Sequence, residues 1–224
     1  MAKRASIELV ESGETKTPAL RFGGEPFGFP KGLWPRSRST NQPLQFICQV
    51  PVSSDLFPGA VDSVAYLFMN YGDDTEGTWE PDGGENAVII VPRTDLTDSL
   101  TIGDAPRLYR MTKKWLGKEL VPKPCCFAAT LAFSEDPAFI PQENLMDMSD
   151  QETRAYREAL QGNKLGGTPG FLQNDELPIS APWHLLLQLD STRVPFWINF
   201  GDAGVGYAFI NGTGAEGKFL WQCC

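Results

Sequence analysis

One ordered pattern occurs twice in the chain, which limits the fold to architectures built from two like halves. The first copy runs Arg21-Phe22-Gly23-Gly24-Glu25-Pro26, then Phe46-Ile47-Cys48-Gln49-Val50, then Tyr66-Leu67-Phe68-Met69-Asn70. The second runs Lys164-Leu165-Gly166-Gly167-Thr168-Pro169, then Leu185-Leu186-Leu187-Gln188-Leu189, then Tyr207-Ala208-Phe209-Ile210-Asn211. From the first glycine to the glutamine the separations are 26 and 22 residues, and from the glutamine to the tyrosine 17 and 19. Two copies are too few for a solenoid, whose stacked repeats need three or more. They describe one module packed on itself, made of scaffold parts rather than catalytic ones.

A chain of 224 residues, 42% hydrophobic and 21% charged, can bury a sizeable core in one domain. Its 22 glycines and 18 prolines favour short strands and turns over long helices. No stretch approaches the 18 apolar residues of a membrane span. Met1-Ala2-Lys3-Arg4 is basic, but Ser6-Ile7-Glu8-Leu9-Val10-Glu11 places acids where a signal peptide needs an apolar core. The expected compartment is the cytoplasm. Cys48, Cys125, Cys126, Cys223 and Cys224 agree, being an odd set with two adjacent pairs rather than a disulfide framework.

Alternation over residues 5–11 predicts a strand, and 17–22 a second. Further strands are expected at 44–50, 63–70 and 87–91, and near 183–190, 205–211 and 217–223. Leu108, Met111, Trp115 and Leu116 have helix-like spacing, which predicts a helix over 107–120. The apolar run 125–133 predicts a central strand. Ser149-Asp150-Gln151-Glu152 is a capping box, followed by a helix to Gln161 that Gly162 stops. The expected fold class is α+β: a strand-rich single domain over 1–224 with a few helices. Pseudo-repeats at about 20–95 and 163–224 are joined by a helical and strand connector at about 96–162.

The motifs of the second copy, with Phe200-Gly201-Asp202-Ala203-Gly204-Val205-Gly206 and Trp221-Gln222-Cys223, resemble the YwqG-like bacterial family. Phe22-Gly23-Gly24-x-Pro26, Trp34-Pro35 and Leu44-Gln45-Phe46-Ile47-Cys48-Gln49 match that family's N-terminal half. The resemblance covers roughly residues 20 to 224. It implies an α+β domain without established catalytic residues. Some members sit beside secreted antibacterial toxins and resemble their immunity proteins. Asn163-Lys164 stands where relatives often carry His-Lys.

The lone histidine, His184, reads as a half-buried strand residue with no nucleophile motif beside it. Adjacent cysteines on a strand point to opposite faces, so neither pair chelates as Cys-x-x-Cys does; no metal and no cofactor are expected. Gly201 to Gly206 precedes a strand, not the helix a phosphate cradle needs, and reads as a tight turn organised by Asp202. Gln49 and Gln188 read as holders of loop backbone.

The acidic residues are more suggestive. Net charge is -9, which argues against direct nucleic-acid binding and suits a basic protein partner. Asp73, Asp74, Glu76, Glu80 and Asp82 crowd a Gly-rich loop around Trp79. Glu143, Asp147, Asp150 and Glu152 form a second cluster around Met146 and Met148. The expected function is a non-enzymatic immunity protein that covers the active or substrate-binding site of a cognate toxin. A basic nuclease suits it best, with carboxylates standing in for phosphates. The alternative is a small-molecule-binding protein or enzyme, with Trp34, Trp183 and Trp197 lining a pocket between the halves.

Overall fold

The computed structural model describes residues 1–14, 16–72, 76–114, 119–179 and 182–224. Asp73, Asp74, Trp115 and Leu116 lie outside the described residues. The chain is 39% strand and 11% helical, so the fold is mostly β and not α+β. The strands are β1 (Ala2–Glu11), β2 (Arg21–Gly23), β3 (Gln45–Val52), β4 (Ser63–Met69), β5 (Asn86–Pro92) and β6 (Tyr109–Lys113). They continue with β7 (Leu120–Pro124), β8 (Cys126–Asp136), β9 (Lys164–Gly166), β10 (Trp183–Asp190), β11 (Val205–Asn211) and β12 (Gly217–Gln222). The α-helices are α1 (Gln142–Leu145) and α2 (Asp150–Ala159).

Ten strands form one antiparallel sheet in the order β12-β11-β10-β9-β1-β8-β2-β3-β4-β5. This order shows a larger repeat than the motifs do, β1 to β5 against β8 to β12, with the first strands exchanged. β1 pairs with β8 and β9, and β8 pairs with β1 and β2. Both copies carry a register shift at the same place, at Ile47 in β3 and Leu186 in β10. These bulge residues are buried in the shared core.

The edge strands β5 and β12 pack side by side, so the sheet curls into a nearly closed barrel. Gly217 permits the approach: a Cβ there would lie 2.4 Å from Val88 Cγ1. Alternation splits each strand between two layers. Ala65 and Leu67 of β4, with Ala208 and Ile210 of β11, join one core common to both copies. Tyr66 and Phe68 face a separate cluster under residues 27–44, and Tyr207 and Phe209 face another beside Phe171.

The helix expected over 107–120 is not formed. β6 and β7 pair antiparallel, and Lys114 and Glu119 at their adjoining ends pair at 2.7 Å. The spacing of Leu108 and Met111 fits a helix, but Leu108 is drawn into the barrel core and Met111 is 45% exposed, which no helical stripe explains. β8 is central in the sheet, yet it is exposed from Thr130 to Glu135, with Phe133 69% exposed. Among the described residues, no helix is long and apolar enough to cross a membrane.

Candidate docking face

The repeat's conserved chemistry proves to be scaffold. Gln49 Oε1 accepts from Phe27 N at 2.9 Å, and its Nε2 donates to Thr17 O and Ala19 O. Gln188 Oε1 accepts from Gly170 N at 2.8 Å, and its Nε2 donates to Leu160 O and Gly162 O. Tyr66 OH donates to Phe27 O, as Tyr207 OH does to Gly170 O. Beneath each loop lies a buried cation. Arg21 donates to Glu25 O, and Lys164 Nζ donates to Thr168 O, in each case four residues on.

Lys164 is 1% exposed and sits 2.7 Å from Asp136 Oδ2, at the end of β8. Desolvation pulls its pKa down to about 8, against the upward pull of Asp136. Arg4 Nη1, from β1, bonds Asp136 Oδ1 at 2.8 Å and Ala159 O at 2.9 Å. The cluster therefore ties the end of α2 to both exchanged strands. Every polar contact in it is internal, so it is a fastening rather than a reactive site.

Above it stands the second acidic cluster. Ser149 Oγ accepts from Glu152 N, and Glu152 Oε2 accepts from Ser149 N at 3.0 Å, the reciprocal bonds of a capping box. The Ser149 hydroxyl, which donates to Glu152 Oε2 at 2.6 Å, and then the Ser149 amide hold the Glu152 carboxyl below its ordinary pKa. Glu143, Met146, Asp147 and Asp150 are exposed and Met148 is half-buried. Met146 is 86% exposed.

Between α1, α2 and residues 169–175 lies a cavity of about 180 Å³. Its apolar walls are Phe139, Ile140, Leu145, Leu160 and Phe171, and Arg157 and Asp175 stand on its rim. Burial raises the pKa of Tyr156, which also lines it, while the Tyr156 oxygen accepts from Ile140 N at 2.9 Å. Asp175 Oδ2 accepts from Gln142 N at 2.7 Å, which fixes the loop against α1.

That loop runs from the second acidic cluster to Asp82, one residue of the first. Asp175 and Glu176 also line a groove along the barrel seam, together with Asp82, Glu216 and the 89%-exposed Ile179. One acidic face with apolar inserts thus runs from α1 to the seam. Asp82 pairs with Lys218 there. Glu76 and Glu80 are exposed nearby in sequence. Trp79 serves the seam: its ring packs edge-on against Trp221 at 6.1 Å, although 40% of it stays exposed. Sequence reasoning missed Asp175 and Glu176, which carry no local signal beyond their charge.

Other expectations are corrected. Trp34, Trp183 and Trp197 do not share a pocket. Trp34 packs on Phe29 and Phe68, Trp183 lines the seam groove, and Trp197 stacks on Tyr109 at 5.5 Å. His184 is exposed rather than half-buried. In the 199–204 turn Asn199 Oδ1, not Asp202, accepts the Gly201 amide. No group of three or more His, Cys, Asp or Glu side chains suited to a metal gathers among the described residues.

A family model described as a domain of unknown function, DUF1963, matches residues 20–215. No curated protein matches the chain.

Proposed function

The chain belongs to the DUF1963 family, and for this member we propose a non-catalytic binding role: capture of a basic protein partner on the acidic face. The observation that carries it is the continuity of that face. Asp175 and Glu176 link the α1–α2 cluster to the seam beside a cavity with apolar and polar walls. Charge of one sign steers an oppositely charged partner, and a buried anchor then holds it. Over 142–158 the acids are Glu143, Asp147, Asp150, Glu152 and Glu158, against Arg154 and Arg157.

The finer reading is an immunity protein that neutralises a nuclease-type toxin in the cytoplasm by covering its basic cleft. It rests on the resemblance to YwqG-like chains and on charge. The test is a pull-down from cells of the source organism, with the unaltered chain and a Glu143→Lys, Asp147→Lys, Asp150→Lys triple variant. A basic protein retained by the first at low salt, and lost by the triple variant and at high salt, is the expected result. Equal retention by both, with one salt dependence, removes the acidic-face mechanism.

A further inference from the structure

The two copies differ where their loops cross the outer layer. In the first copy, residues 96–101 lie antiparallel against 26–28. Thr101 N donates to Pro26 O at 2.9 Å, Gly28 N to Ser99 O at 2.9 Å, and Thr97 N to Gly28 O at 2.9 Å. Phe27 and Leu100 face each other in a bridge, and Leu96 packs on Gly28 and into the outer cluster. Residues 96–101 are thus a strap that fills this side of the first copy.

Phe27 corresponds to Gly170, since Gln49 and Tyr66 hold one as Gln188 and Tyr207 hold the other. The flanking residues Pro26 and Gly28 therefore correspond to Pro169 and Phe171. Among the described residues, the Pro169 carbonyl and both backbone groups of Phe171 make no hydrogen bond. Pro169, Gly170 and Phe171 instead line the 180 Å³ cavity. Pro169 is buried and Phe171 half-buried, and backbone groups drawn away from water are normally paired, so these groups can take ladder bonds.

We propose that residues 169–171 are a strand-addition site, taking an extended segment of the partner antiparallel, as the strap lies on 26–28. The partner segment supplies three backbone bonds, to Pro169 O, from Phe171 N and to Phe171 O, and places one leucine- or phenyl-sized side chain in the cavity. The volume suits this, since a cavity of about 150 Å³ holds a benzene ring, and Phe139, Ile140, Leu145, Leu160 and Phe171 supply apolar wall among the polar lining residues. The strap itself shows the pattern that such a segment follows, with apolar residues four apart at Leu96 and Leu100. The strap carries Asp95 and Asp98, whereas Asp175, Glu143 and Asp150 rim the second site and outweigh Arg157 there, so the partner segment is basic. Only that sign rests on the docking role proposed above; the strand addition rests on the internal comparison.

The probe is a synthetic peptide of residues 94–103 carrying Asp95→Lys and Asp98→Lys, added to the full chain, with the unsubstituted peptide as a second arm. The lysine peptide is expected to slow amide exchange at Phe171 at least tenfold and leave Gly28 unchanged. Leu145→Trp, which fills the cavity from a half-buried wall, should weaken binding at least tenfold in a chain whose other amides exchange normally. Absence of binding at millimolar peptide, or binding that leaves Phe171 unprotected, overturns the proposal. Equal binding of both peptides with Phe171 protected supports strand addition and overturns the basic-partner reading.

Discussion

Lys164 has the most consequence among single residues, because its partner Asp136 joins β8 to β9 and β1, and Arg4 carries the link on to the end of α2. Removing one member of a buried pair leaves the other charge uncompensated, at about 3–5 kcal/mol. Asp136→Asn, which leaves Lys164 buried without a counter-charge, should cost that much in denaturant unfolding, and Lys164→Met less, because Arg4 Nη1 and the Thr168 amide still hold Asp136. The pH dependence has a definite sign. The folded pKa, about 8, lies below the ordinary 10.5, so between these values the unfolded chain holds a proton that the folded one lacks. Stability from this group therefore rises with pH across that window, by up to about 1.4 kcal/mol per unit. The advantage of the unaltered chain over Lys164→Met should grow from pH 8 to 10.5; a constant difference would show that Lys164 keeps its ordinary pKa. Gln188→Leu and Gln49→Leu each strand one amide and two carbonyls, and each should cost about 3 kcal/mol. The sites lie in separate copies, so the double variant should show the sum within about 0.5 kcal/mol.

At the scale of elements, α2 depends on its cap. It buries no residue between Asp150 and Ala159, so packing contributes little to its order and the capping box much. Ser149→Ala should destabilise the helix by about 1 kcal/mol and let the Glu152 carboxyl rise toward its ordinary pKa. Carbon-detected NMR titration of that carboxyl reads the second effect directly, and an unmoved Glu152 would place the cause elsewhere. The same element shows what local sequence conveys. A capping box followed by Gly162 is a short-range signal, and it appears in the structure at the expected place. The 107–120 segment has no such signal. Leu108 and Met111 three residues apart satisfy a helix, but β6 and β7 pair because Cys125 N bonds Leu108 O and Trp197 stacks on Tyr109, both nonlocal contacts. The acidic face proposed for docking was half visible for a similar reason. Its α1–α2 carboxylates are neighbours in sequence, while Asp175 reaches them only through its bond to Gln142 N.

For the molecule as a whole, exchange of the first strands makes the copies interdependent. β1 finds both ladder partners in the second copy and β8 forms two of its edges with the first. A fragment of residues 1–104 should therefore expose apolar surface and lack slowly exchanging amides. Mixing it with 105–224 should restore the native spectrum. A folded, monomeric 1–104 fragment with native protection would mean that β1 can find another partner. The sequence by itself determined the duplication, the glutamine and tyrosine positions that brace each loop, the capped helix and the acidic balance. These depend on residue type and short spacing, which a chain carries wherever it folds. Only the tertiary structure decided that β1 and β8 belong to the repeat, that they change places, and that the sheet curls until Gly217 meets Val88. A strand's alternation says which face is apolar and nothing about its neighbour, so pairing is settled by loop closure and core volume across the whole chain.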